Sequence, residues 1–173
     1  MLPEDMTVQD QESDSFLKYY SKDQKRPKEK KIRAFQIRRK KKDGNHLHVH
    51  ESVVSVKEVL KRSRELGVSM TVFLTAVFLK AIHEEMSKMQ EKKPIVLMVP
   101  VNLRKFFPST SMLNFFNWIE PGYDFSKRDR SFEEVLRYTK DFFEEQLTKE
   151  KMSAHINDLL ALELHPILRL APL

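Results

Sequence analysis

From Val72 to Ile82 nearly every position is apolar, with only Thr75 and Lys80 interrupting Val72, Phe73, Leu74, Ala76, Val77, Phe78, Leu79, Ala81 and Ile82. The pattern predicts a helix capped by Ser69 and running to about Gln90, apolar almost all round at its start and so the central buried helix. Glu84, Glu85 and Lys88 place its far end in solvent. Upstream, Ser55-Val56-Lys57-Glu58 has the form of a capping box, which predicts a helix that turns Val59 and Leu60 inward and stops at Gly67. A second capping box, Ser131-Phe132-Glu133-Glu134, opens a helix to about Thr148 with an apolar stripe that includes Val135, Leu136, Phe142 and Phe143. Ser153 is placed to cap a further helix through Leu164, before Pro166.

Shorter apolar runs predict strands between these helices. Ile95 to Val99 is continuous and of strand length, so a strand buried on both faces is expected, its pairing limited at the end by Pro100. Asn114 to Ile119 has β-type composition. Asp43-Gly44 predicts a hairpin over Ile32 to Ser52, with Phe35, Ile37, Leu47 and Val49 on one face and His46, His48 and His50 on the other. The expected class is α/β, helices packed on a mixed sheet. Residues 1–31 are polar and charged and are expected to be a linker or N-terminal extension, in which Phe16, Leu17, Tyr19 and Tyr20 can dock as a short helix. Residues 32–173 are expected to be the folded part.

Composition narrows the class. At 173 residues and 40% hydrophobic the chain can bury a sizeable core. A mean hydropathy of −0.52 and no apolar run near the roughly 20 residues a bilayer requires predict a chain without a membrane span. The acidic start, MLPEDMTVQDQESD, is no secretory signal. The chain has no cysteine, which excludes disulfides, thiol nucleophiles and thiolate metal sites, and the expected compartment is the cytoplasm. Lys22 to Lys42 holds 12 Lys/Arg against Asp23 and Glu29, a local surplus of 10 that leaves the rest of a +6 chain net acidic. Phe35 is the one aromatic in that run, which argues against nucleic acid and for a solvated linker and hairpin edge.

Candidate chemistry concentrates in Lys93 to Tyr123. A predicted strand delivers Asn102 and Arg104 at its end, and Phe106, Phe107, Asn114, Phe115, Phe116 and Asn117 follow, a plausible pocket wall. By composition alone a plainer account is favoured: Arg104 paired with a loop carboxylate, the asparagines in turns and the aromatics in the core. The order PVNLRKFFPS then LNFF, however, resembles the C-terminal half of acyltransferases with the chloramphenicol-acetyltransferase and condensation-domain fold. The closest resemblance is to the bacterial alcohol-acetyltransferase-like branch, and it extends more weakly from about His46 to Leu173.

The resemblance implies one lobe of a two-lobed fold. It also implies acyl transfer from a coenzyme A thioester, the co-substrate, to a small-molecule alcohol or amine. Such enzymes carry His-His-x-x-x-Asp-Gly in their N-terminal half, where the second histidine is general base. No His-His pair occurs here, so the implied partner is an upstream lobe carrying that motif, with no catalytic residue in this chain. Arg104 would form the structural salt bridge with the motif aspartate, and Asn102, Asn114, Phe115 and Phe116 would line the acyl tunnel. Leu113 stands where some relatives have glycine, which alters the loop. The apolar end, Ile167 to Leu173, fits either a docked C-terminus or a cut within a longer polypeptide. The alternative is a catalytically silent binding lobe whose basic segment meets an anionic partner.

Other candidates are weaker. His46, His48 and His50 could supply metal ligands but have no carboxylate placed beside them, and no metal is expected. His83-Glu84-Glu85 lacks the second histidine of a zinc helix and reads as a polar helix face. Glu133, Glu134, Asp141, Glu144 and Glu145 read as a solvated face. The three glycines, Gly44, Gly67 and Gly122, are each explained by a turn or cap rather than by a phosphate loop.

Overall fold

The computed structural model describes residues 12–21, 33–37 and 51–164. Most of the expected 32–52 hairpin, with its three histidines, lies outside the described residues, as do most of the basic run and the segment 165–173. Helices and small antiparallel ladders make up the fold, which is α/β. The helices are α1 (Ser15–Lys18), α2 (Val56–Glu65), α3 (Met70–Glu84), α4 (Phe132–Gln146) and α5 (Lys149–Glu163). The strands are β1 (Ile95–Val96), β2 (Val99–Asn102), β3 (Phe116–Ile119) and β4 (Gly122–Tyr123). The chain divides into two compact units. One comprises residues 1–31, 98–120 and 144–173, the other residues 32–97 and 121–143.

The second unit is built on α2, α3 and most of α4. Ser55 Oγ accepts from Glu58 N and Ser69 Oγ from Val72 N, so the caps predicted at Ser55 and Ser69 are made, and α4 begins at Phe132, directly after Ser131. Gly67, at φ 66°, supplies the left-handed residue that ends the α2 turn. Val72, Ala76 and Leu79 of α3, Val135, Leu136 and Phe143 of α4, and Ile95 and Tyr123 are buried. Three expectations need correction here. α3 buries one face only, and Phe78 on the other is 61% exposed. It ends at Glu84, because the chain turns back through Ser87 and a 3-10 turn at Gln90–Lys92. Phe35 lies in no strand, though its N–H bonds Pro94 O at 2.8 Å.

In the first unit, β2 pairs with β3 in the register Val99↔Ile119, Pro100↔Trp118, Val101↔Asn117 and Asn102↔Phe116. The continuous doubly buried strand expected over 95–99 is instead two pieces. β1 pairs with β4, β2 with β3, and Met98 at the junction is 68% exposed. Pro121, which has no N–H, breaks the partner strand at the matching place. Leu103 N–H bonds Phe115 O, so by the antiparallel alternation Pro100 occupies a pair whose N–H groups face away from the ladder. Proline is tolerated there. α5 packs on β3 and buries Met152, Ile156 and Leu160. It starts four residues before Ser153, with Thr148 Oγ1 accepting from Lys151 N.

As the apolar cluster at 16–20 predicts, α1 docks. Phe16 meets Phe115 edge-on at 5.1 Å, and Tyr19 lies 5.0 Å from Phe107 and 6.0 Å from Phe115. Ser15 Oγ is 2.5 Å from Ser109 Oγ, Tyr19 OH donates to Pro108 O, and Ser21 N–H donates to Asn157 Oδ1 at 2.8 Å. Residues 14–21 are thus a strap over the first unit.

Candidate functional site

The loop between β2 and β3 is organised by two side chains. Asn102 closes β2 and its Oδ1 accepts from Arg104 N at 3.0 Å, which starts the 3-10 turn Leu103–Lys105. Leu103, fully buried, anchors that turn to the core. Arg104 Nη2 then donates to two carbonyls across the loop, Ser111 O at 2.7 Å and Leu113 O at 2.8 Å. One guanidinium therefore fixes the far end of the loop relative to the near end, with charge-assisted hydrogen bonds of the stronger kind. Ser111 N–H to Ser109 Oγ and Leu113 N–H to Ser111 Oγ, both 3.2 Å, tighten the intervening turns. Among the described residues Arg104 pairs with no carboxylate.

The implied tunnel residues separate into two groups. Asn102 and Phe116 are direct ladder partners on the exposed face of the β2–β3 hairpin, beside the Pro100–Trp118 pair. They form a non-hydrogen-bonded pair, in which side chains approach most closely. Phe116 is 49% exposed, and Asn114 and Leu113 are exposed in the loop just before it. Phe115 points the other way, 2% exposed, and packs among Phe16, Tyr19 and Phe107. The structure thus brings Asn102 and Phe116 together at a surface and gives Phe115 to the core beneath it.

Residues 4–151 match the family model for alcohol acetyltransferase. The chain belongs to that family. No curated protein and no solved structure matches it. In this alcohol acetyltransferase family member the matched stretch takes in the strap, the Arg104 loop and both strand ladders, and ends in the first turn of α5.

Sequence reasoning missed two features of this family member. Asn117, between exposed Phe116 and half-buried Trp118, faces inward and is fully buried, and Asn157 on α5 is 3% exposed. An asparagine at an inward strand position, and another beside Ile156 in a buried helix stripe, were the available signals. The second feature is His83, expected on a polar face but 7% exposed in the second unit. Its ring stacks on Phe125 at 3.9 Å, with an interplanar angle of 9°. Its Nε2 is 3.2 Å from Glu91 Oε1, near enough for an ion pair but without the alignment of a hydrogen bond. Glu91 is held in turn by Arg130 at 2.8 Å. Burial holds the imidazole below its ordinary pKa, with Glu91 opposing that shift and Lys80 and Arg130 adding to it. No group of three or more metal-ligating side chains occurs among the described residues, and the three-histidine strand lies outside them. No single described helix is long and apolar enough to cross a membrane.

Proposed function

We propose that this chain is part of an acyltransferase that moves an acyl group from a coenzyme A thioester to an alcohol or amine. In this reading the chain forms a wall of the acyl tunnel, and an upstream lobe supplies the catalytic base. The observation that carries it is the alcohol acetyltransferase match over residues 4–151. It joins with the lack of any His-His pair in the sequence. A cytoplasmic setting, where the thioester is made and used, completes the proposal.

The chemistry asks for three things. A base must take the acceptor's proton as its oxygen or nitrogen attacks the thioester carbonyl. Donors must stabilise the oxyanion that forms, and the thiolate must leave with a proton returned to it as the carbonyl reforms. Of these the chain contributes shape and positioning. The hairpin face with Asn102 and Phe116 offers an apolar ring and a carboxamide to the acyl or acceptor group. Asn114 stands beside them on the loop that Arg104 holds. Arg104 spends Nη2 on its own loop. Its Nε and Nη1 are the donors that would meet the aspartate of the upstream motif, so one side chain would tie the tunnel loop to the catalytic loop.

The test uses the complete polypeptide with an acyl-CoA and an alcohol. Arg104→Ala should lose most transfer activity, and Phe116→Ala should change selectivity among acyl chain lengths while leaving the thermal midpoint near that of the parent. Near-parental rates in Arg104→Ala would remove that residue from the site, and unchanged selectivity in Phe116→Ala would remove the hairpin face.

A further inference from the structure

Arg104 fixes the far end of the β2–β3 loop through Ser111 O and Leu113 O. The middle of the same loop is held by the strap, which belongs to the same unit. Ser15 and Tyr19 place hydroxyls on consecutive loop residues. Tyr19 OH donates to Pro108 O, and the buried Ser15 Oγ shares a 2.5 Å hydrogen bond with Ser109 Oγ. From Ser109 the bonds run on towards Asn114. Ser109 Oγ accepts Ser111 N–H, and Ser111 Oγ accepts Leu113 N–H, both at 3.2 Å. Phe16 and Tyr19 pack their rings on Phe115, and Tyr19 also lies against Phe107, which is buried. Ser21 N–H, bonded to Asn157 Oδ1, fixes the end of the strap on α5. Covering an apolar core needs the two rings alone; the two hydroxyls serve the loop. The family match begins at residue 4, so the strap is part of the matched unit.

We infer that Ser15 and Tyr19 are positioning residues for the tunnel loop. The strap holds residues 107–109, Arg104 holds 111–113, and the two together set where Asn114 stands beside the Asn102–Phe116 pair. Ordering a loop costs conformational entropy at every residue, so each released hold widens the range of positions Asn114 samples. A group that meets substrate from a loop works only as well as the loop is placed. The loop's part in acyl transfer rests on the acyltransferase reading; the strap's hold on the loop does not.

Ser15→Ala and Tyr19→Phe each remove one hydroxyl and leave the rings of the strap in place. Amide hydrogen exchange on the 173-residue chain reads the loop directly. In both variants the Ser111 and Leu113 amides should exchange about fivefold faster, the worth of roughly one hydrogen bond, while the Ile156 and Leu160 amides of α5 keep their parental rates. Should Ser15→Ala fail to fold, Tyr19→Phe is read in the same way. Parental exchange at Ser111 and Leu113, or an equal rise along α5, would overturn the hold. In the complete polypeptide the ratio of kcat/KM for acetyl-CoA to that for hexanoyl-CoA is independent of the amount of folded enzyme, so lost stability alone leaves it fixed. Both variants should change that ratio, by about fivefold. A parental ratio in both, with transfer intact, overturns the positioning role and leaves the acyltransferase reading. A complete polypeptide that transfers nothing, while exchange at Ser111 and Leu113 still responds to both variants, leaves the strap's hold and removes that reading.

Discussion

Burial of His83 outweighs the opposing Glu91 carboxylate 3.2 Å from its Nε2, so the fold favours the neutral imidazole. Its folded pKa lies below the ordinary 6.5. Between the two values the unfolded chain binds more protons than the folded one, and stability rises with pH there. His83 therefore imposes no penalty above about pH 6.5. Its penalty grows as pH falls through that value and levels off below the folded pKa. Burial pushes Asp124 up, but hydrogen bonds from Ser126 and Lys127 together outweigh it and hold the carboxyl below the usual 3.8, and the Ser131 N–H holds Asp129 below it as well. Their effect is confined to more acid solution. Urea midpoints should accordingly drop from pH 7.5 to pH 5.5 in the parent and drop less in His83→Phe; equal slopes would remove His83 from the account. The neighbouring phenylalanines give a second prediction. Phe115→Ala should destabilise the protein by about 3–5 kcal/mol, as a fully buried ring does, while Phe116→Ala should stay within about 1 kcal/mol. Thermal or urea unfolding of the pair checks it. Sequence placed both rings in one aromatic segment; which of them faces the core depended on the β2–β3 register, set by the long-range pairing of Asn102 with Phe116.

Helix starts were legible because a serine cap acts locally. Ser55 and Ser69 need only the backbone N–H three residues on. Ser69→Ala should therefore cost about 1 kcal/mol. Gly67→Ala, strained by the positive φ rather than by any clash, should cost roughly 1–2 kcal/mol. Denaturant unfolding reads both, and a neutral Gly67→Ala would contradict the left-handed turn. Element ends were less legible, since tertiary contacts decide them. α3 stops at Glu84 so that Glu91 can return to His83, a contact impossible in one continued helix, where residues eight apart rise about 12 Å. The 95–99 run looked like one strand because its composition is uniform; the break comes from Pro121 on the partner, far along the chain. At the candidate site Arg104 and Asn102 stood out as polar residues at a strand end. Their local work, clamping and capping the loop, became visible only with the loop folded.

At the scale of the molecule, the family match covers most of the chain and the sequence holds no His-His pair. The account reconciles these by giving the chain positioning and shape, with Arg104 as the link to an upstream catalytic loop. Its central claim is that the native-length gene product transfers acyl groups and this chain by itself does not. The most direct measurement is release of coenzyme A thiol from acetyl-CoA, with the acetylated product identified by mass, across a panel of alcohols and amines. Native-length protein purified from source cells should be compared with the isolated 173 residues. The account predicts acceptor-dependent thiol release with matching ester or amide from the native-length protein alone, lost in its Arg104→Ala variant. No acceptor-dependent transfer from the native-length protein, or full transfer by the isolated chain, would contradict it.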